Sequence, residues 1–514
     1  HEAEVTGLKS GDRVPYYATS IDENGDEIKS DRFTLAPTPP PGQPLKILLT
    51  SDHQLKPLVA ANLQKVREAI GRVDAVFLAG DLVNIPDRAS EWFDDDRGGA
   101  FFPALQGRAS YELEKNGIST VYKGGEIIQH APLFPAIGNH EVMGRFSPEK
   151  SLNVQFEDAI PRAIAEDVYS SNAKQFNPSD DPEVRAAWIK ANSFNVDTYR
   201  EIFSLPDRET YYAVTFGDVR LVVLYVTNIW RLPGMEDNIK GRYKEADFAL
   251  KNPQNWGYGQ HIFEPINKGS AQYRWLETEL NSEAYQQAKY KIVMFHHPPH
   301  TLGENIVPPY TDPVQKIDRD ENGNVISVRY DYPKENDYII RDVLPLLETA
   351  NVDLVFYGHS HLWNRFFDGK IHFLETSNVG NTYGAATAEK PRPVPDRNNL
   401  NYAAIGNPNG LDPAIPTIAP LRDDTGVPQP YIASNDITVF SIFDTGTGKV
   451  SSYYFDTRQP NSDVVQFDEF GLKTSQETSQ EEDAWLLAVA SIATLSIVMI
   501  VAWFWRDAFR QIEE

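Results

Sequence analysis

Five short apolar runs, each ending abruptly in a cluster of polar side chains, constrain this chain more than any other feature. They are LKILLTSD (45–52), VDAVFLAGD (73–81), PLFPAIGN (132–139), YKIVMFHH (290–297) and VDLVFYGH (352–359). Runs this uniformly apolar belong to strands buried on both faces. Between the first two lies PLVAANLQKVREAIGR (57–72), whose apolar spacing is helical, so the unit reads as β-α-β. That connection implies parallel strands, and parallel strands carry their ligands at the carboxyl edge. The pair YYAVTF and VRLVVLYV (211–226) supplies further strands, and helices are expected near 271–288 and 337–350.

The polar ends are Ser51-Asp52-His53-Gln54, Gly80-Asp81, Gly138-Asn139-His140-Glu141, His296-His297 and Gly358-His359-Ser360-His361. Taken singly, each has a dull explanation. A Gly-Asp after a strand is usually a helix cap, and two histidines before two prolines can simply shape a loop. Gathered at one sheet edge, they form a different object. Carboxylates, an amide oxygen and imidazoles suit Mn, Fe or Zn. Two such ions held about 4 Å apart can clamp a phosphoryl oxygen and ionise a water. The chain has no cysteine, which excludes disulfides and thiolate zinc sites.

The ordered set resembles the motifs of the calcineurin-like metallophosphoesterases: D-x-H, G-D, G-N-H-E, H and G-H-x-H. The resemblance covers roughly residues 45–380 and is nearest to the purple acid phosphatase branch, through YYAVTFGDVRLVVL, QYRWLETEL, IVMFHHPPH and VDLVFYGHSH. It implies a four-layer α/β/β/α sandwich and a centre of two divalent ions. Carried over by position, it implies Asp81 as the bridging carboxylate. Asp52, Gln54 and His361 would serve the first ion, and Asn139, His296 and His359 the second. His140 would protonate the leaving oxygen or stabilise the transition state, with Asp52 and the metals setting up the nucleophile. The neighbour of His296, His297, is expected to be structural. Arg145 and His300 are candidates to reach substrate oxygens.

Two departures stand out. Gln54 occupies the slot of the first-motif histidine, and His53 comes one residue too early. Three arrangements are open. Gln54 binds the first ion through its oxygen or a water; or a bulge brings His53 in; or that position is weak or empty. D-x-Q in other branches of the superfamily favours the first. Secondly, the purple enzymes place a tyrosine three residues after the bridging carboxylate, where this chain has Asn84. The expectation is an enzyme that is not purple.

Beyond this core, Ala484–Trp505 is 22 residues without a charge, roughly 33 Å as a helix and enough to span a bilayer. Trp485, Trp503 and Trp505 stand at its ends, with SQETSQEED before it and Arg506 and Arg510 after. The positive-inside rule places residues 506–514 in the cytoplasm and the catalytic domain outside. The chain opens on His1 and not Met, so a preceding segment is expected. Residues 1–36 resemble the closing strands of a fibronectin type III-like domain, with a hairpin turn at Asn24-Gly25, and 37–44 is a proline-rich linker. The catalytic domain is expected over 45–458, including a surface excursion at 381–434, and 459–483 is expected to be an acidic linker. In the arm DENGNVISVRYDY (320–332), Asp318 and Asp320 resemble the start of a calcium loop, but Arg329 occupies the closing position. A turn suffices there. Asp94-Asp95-Asp96 reads as a solvated loop, His372 as a strand residue, and His130 and His261 have no context that lifts them.

A formal charge of -25 opposes nucleic-acid binding. The reading is therefore a membrane-anchored phosphohydrolase cleaving phosphate mono- or diesters by a metal-bound hydroxide. The rival is a phosphatase-derived accessory subunit of a membrane complex, with a weakened metal site and a membrane-protein partner.

Overall fold

The computed structural model describes residues 5–472 apart from 10, 161, 207–208, 230–243, 252, 254–255, 257–260, 263, 305–309, 311–313 and 392–412. Its centre is two β-sheets packed face to face. The first runs in the order 465–471, 449–456, 437–444, 46–50, 75–78, 133–135. The last three are parallel, with Leu48 opposite Val76 and Phe77 opposite Phe134. In the second sheet, strands 219–223, 290–294, 354–357 and 372–376 are likewise parallel, and the antiparallel pairs 212–216 and 363–367 flank them.

Strand alternation sorts the apolar runs into three layers of core. Ile47, Leu49, Ala75 and Phe77 point inward to meet Leu221, Val223, Ile292, Met294, Leu354 and Phe356 of the other sheet. Leu48, Val76 and Leu78 point outward, under Leu63 and Val66 of the helix Val59–Ile70. On the far side, Val222, Val293 and Val355 pack beneath Tyr273, Leu276 and Leu280 of the helix Ala271–Leu280 and beneath Leu347. Both sheets therefore bury both faces, which explains the absence of polar alternation in their sequences. The result is a layered α/β sandwich, with helices outside two face-to-face sheets.

Three segments depart from expectation. The stretch expected to be linker from 459 contains the strand Val465–Gly471, which extends the first sheet beside 449–456. Phe470 and Leu472 join the inter-sheet core, and Asp468 forms a buried bidentate pair with Arg365 at 2.7 and 2.9 Å. The acidic composition hid this strand, because its carboxylates are matched by cations on other strands. The excursion expected at 381–434 is partly structural, since Thr417–Ile418 and Tyr431–Ile432 pair with 363–367. The hairpin Tyr111–Lys115 with Ile118–Tyr122 was not expected at all.

At the amino end, Val14–Tyr16 pairs with Phe33–Leu35, and Thr19–Ile21 with Glu27–Lys29. This module is tied to the body by Arg13 Nη1 donating to the His130 carbonyl and Tyr16 OH to that of Gln129, both at 2.8 Å. A cavity of about 500 Å³ beneath it, lined among others by Arg13, Leu45, Asp74 and Pro132, lies at the amino ends of the first sheet's strands. The arm at Val314–Arg319 and Val325–Asp331 is a hairpin. Asp320 accepts from Asn322 and Asn324 within its own turn, and Asp318 pairs with Arg329 at 3.2 Å, so these carboxylates serve the turn. Among the described residues no helix is long and apolar enough to cross a membrane, and the expected span 484–505 lies outside them.

Candidate metal centre

At the carboxyl edge of both sheets the backbone leaves its strands through left-handed turns. Asp52, Gln54, Asp81, His359 and His361 have φ of 59, 41, 58, 82 and 57°, a region that costs a non-glycine residue energy and is kept where function demands it. Bonds between loops hold these turns. Asp52 N donates to Gly80 O at 3.0 Å, Gln54 N to Leu82 O at 3.0 Å, and His359 N to Asp52 Oδ2 at 2.8 Å. Gly80 is required by close approach as well as by its φ of 93°. A Cβ there would lie 2.7 Å from Gly138 N and 2.8 Å from His296 Nδ1.

One half of the centre is assembled around Asp81. Nε2 of His296 lies 3.2 Å from Asp81 Oδ2 and 3.1 Å from Asn139 Oδ1. The same Asn139 oxygen is 3.1 Å from His359 Nδ1. His296 Nδ1 faces the Ala79 carbonyl at 2.7 Å, and because a carbonyl only accepts, Nδ1 donates there and Nε2 is the nitrogen turned to Asp81 and Asn139, the one that a metal would take in exchange for its proton. His297, expected to be structural, joins this group. Its ring stacks on that of His359 with centroids 3.9 Å apart, and ligand atoms of His296, His297 and His359 lie within 4.8 Å of one another. Both His297 nitrogens are buried and lack hydrogen-bond partners.

The other half is formed by Asp52, Asp81 and His361, whose ligand atoms also fall within 4.8 Å. His361 Nδ1 donates to the Asn381 carbonyl at 2.8 Å, which leaves Nε2 facing Asp52 Oδ1 at 3.4 Å. Gln54 reaches the centre, but its Nε2 donates to Asp81 Oδ2 at 2.8 Å. His53 does not reach it. Its Nε2 bonds Thr50 Oγ1 at 3.1 Å and its ring packs 5.9 Å from Phe101. A residue the sequence reading passed over completes this half: Lys56 Nζ lies 3.8 Å from Asp52 Oδ1, with both side chains buried.

Electrostatics follow from burial and neighbours. Burial alone would raise the Asp52 carboxyl, but Lys56, His361 and His296 together hold it well below its ordinary value. Asp81 is likewise held low: burial opposes this, and His296 and His140 outweigh it. Both are thus anionic, the form that binds cations. Burial pushes the Lys56 ammonium down to about 8, against the pull of Asp52.

Two buried glutamates scaffold the loops. Glu141 accepts from the backbone N–H groups of Asp81, Leu82 and Gly138 at 2.7–2.8 Å. Glu375 accepts from Ser360 N at 2.8 Å, Thr301 Oγ1 at 2.9 Å and Asn364 Nδ2 at 3.0 Å. Burial pushes each up to about 8. Glu141 was visible within its motif, whereas Glu375 sits in a strand and carried no signal.

Of the remaining candidates, His140 is held at the rim. Its N–H donates to Asp81 Oδ1 at 2.9 Å and its Nδ1 to the Asn84 carbonyl at 2.7 Å. Arg145 is not aimed at the centre but forms a fork with Asp158 at 2.9 and 3.1 Å. His300 is buried among Phe366 and Phe373 of the second sheet. His372 lies in its strand between Phe367 and Phe470.

The donor set fits divalent ions. Oxygen and imidazole ligands converge from five loops, and Asp52 Oδ1 is buried with no hydrogen-bond partner. The family model described as calcineurin-like phosphoesterase matches residues 45–362, more than half of the 514-residue chain. The chain belongs to the calcineurin-like phosphoesterase family. No curated protein matches its sequence. Among solved structures similar to it is the purple acid phosphatase PPD1 of yellow lupin (Lupinus luteus) seeds, at 12% identity and a TM-score of 0.46. That match covers 91% of this chain and 61% of the lupin chain, so it spans less than two thirds of the lupin protein. Another is GAP50, the anchor in the inner membrane complex of Plasmodium, at 11% identity and a TM-score of 0.34, covering 84% of this chain and 89% of that one.

Proposed function

We propose that this calcineurin-like phosphoesterase is a metal-dependent hydrolase of phosphate mono- or diesters. The observation that carries the reading is the convergence of Asp81 Oδ2 and Asn139 Oδ1 on His296 Nε2, at 3.2 and 3.1 Å. Asp81, Asn139, His296 and His359 would hold one ion, and Asp52, Asp81 and His361 the other, with the Gln54 amide orienting Asp81 and Mn, Fe or Zn suited to such donors. Bound there, the ions would polarise a phosphoryl oxygen and acidify a water.

The chain's own residues supply the rest. Asp52 and Asp81 bring the negative charge that retains the ions. The Asn84 carbonyl fixes the His140 ring through Nδ1, so Nε2 is the atom that exchanges a proton with the leaving oxygen. Glu141 and Glu375 keep the ligand loops in register. In this reading residues 484–505 anchor the protein in a bilayer, with the catalytic domain on the extracytoplasmic side.

A second reading is favoured by one observation: Gln54 and Lys56 both turn N–H groups toward the Asp52–Asp81 half. On that reading the protein is an accessory subunit of a membrane complex with a weakened centre. Metal analysis of the purified protein with turnover of p-nitrophenyl phosphate separates the two. Bound metal and turnover abolished by Asn139→Ala support the hydrolase, and metal-free, inactive protein supports the subunit.

A further inference from the structure

The two halves of the centre differ in one respect that the family pattern does not contain. The Asp52 half contains a lysine. The Lys56 backbone is pinned, its N–H donating to His53 O at 2.7 Å and its carbonyl accepting from Val59 N at 3.2 Å. Its side chain is 3% exposed, and Nζ is directed at Asp52 Oδ1 from 3.8 Å. Neither Nζ nor Oδ1 has a hydrogen-bond partner. The same Oδ1 is the atom that His361 Nε2 faces at 3.4 Å. Asp81 and Glu375 are the other anions that act on Lys56. Beside it, Gln54 presents its NH₂ to Asp81 Oδ2.

We infer that Lys56 competes with the metal ion for the Asp52–Asp81–His361 position, so that the centre binds one divalent cation tightly and the second only weakly. An ammonium and a divalent ion a few ångströms apart in a water-poor site repel strongly. The second ion must push Nζ away from Asp52, where a side chain this enclosed has no solvated place to go, or drive off its proton, and either route weakens binding. The Lys56 charge also offsets the two carboxylates whenever that ion is away, so the loops persist in a singly loaded protein. This inference rests on the metallophosphoesterase reading and sharpens it, because it makes the second ion, and with it turnover, dependent on metal concentration.

Titration of the chelator-stripped full chain with Mn(II), followed by calorimetry and by the free-Mn electron paramagnetic resonance signal, tests it. Two classes of site at least tenfold apart are expected in the wild type. Lys56→Met, which keeps the apolar stem, tightens the weak class at least tenfold, and Lys56→Arg leaves it weak. Two ions of equal affinity in the wild type, or a weak class unmoved by Lys56→Met, overturn the inference while leaving a metal-dependent hydrolase in place. No Mn(II) bound and no p-nitrophenyl phosphate turnover overturn the hydrolase reading itself, and the inference with it. Should Lys56→Met fail to fold, a manganese-edge anomalous map of the wild type at one equivalent decides. A peak among Asn139, His296 and His359 upholds the inference, and a peak between Asp52 and His361 overturns it.

Discussion

Gln54 Nε2 and Asp81 Oδ2 are joined by a 2.8 Å hydrogen bond in which the amide donates. The residue in the place of a first-motif histidine thus touches the carboxylate shared by both halves of the centre, while His53 turns away toward Phe101. Gln54→Ala is expected to lower kcat/KM roughly ten- to hundredfold, the usual cost of losing a partner that orients a ligand. His53→Ala should leave kcat/KM of the folded enzyme unchanged and cost about 2 kcal/mol of stability. Steady-state kinetics with urea unfolding of both variants distinguish these; a reversed pattern returns His53 to the centre.

Asn139 Oδ1 lies 3.1 Å from both His296 Nε2 and His359 Nδ1. Its removal opens the half of the centre that fits a cation best. Asn139→Ala should weaken Mn(II) binding at least tenfold, with a larger fall in turnover. Elemental analysis after dialysis against limiting Mn(II) provides the measurement.

Asn84 stands three residues after Asp81, and its carbonyl is occupied by His140. The protein loaded with Fe(III) should therefore show no visible tyrosinate charge-transfer band. If a band does appear, Tyr383 is the residue to replace, since its ring lies 5.3 Å from that of His361.

Asp468 and Arg365 form a bidentate pair between the strand 465–471 and the second sheet, with side chains only 5% and 8% exposed. Breaking one partner of such a pair strands a buried charge, so Asp468→Ala should cost about 3 kcal/mol. A polar linker at this position would tolerate the change. Denaturant titration gives the answer.

Asp337 accepts from the N–H groups of Ile339 and Ile340, yet burial pushes its carboxyl up to about 7. A folded-state value above the unfolded one means that the folded form holds a proton the unfolded chain has released. That contribution is complete below about pH 4 and is lost as pH rises toward 7. Asp337→Asn keeps an oxygen for the cap and removes the titration. Relative to the wild type it should gain about 2 kcal/mol between pH 5 and 7.5, measured by urea unfolding at the two values. Equal differences at both would refute the assignment.

Much of this was legible along the chain. The parallel strands were readable because burial on both faces leaves unbroken apolar runs such as AVFL and LVFY. The ligand types were readable because they follow those runs immediately. The strand 465–471 was not, since its acidic residues are neutralised by Arg365 and Lys449 from other strands, and composition cannot show a pairing between segments far apart. His300 and Arg145 looked like site residues from their neighbours in sequence, but the fold turns one into the second sheet's core and ties the other to Asp158.

By itself the sequence determined which groups arrive at the sheet edge, because strand periodicity and the turn after it are local properties. Tertiary structure alone decided which way they face. Left-handed φ at residues 52, 54 and 55 breaks the two-residue alternation, so Gln54 meets Asp81, His53 meets Phe101, and Lys56 ends beside Asp52. Those turns are held by carbonyls of a different strand's loop, Gly80 and Leu82, and no local rule relates a backbone angle at 54 to an acceptor at 82.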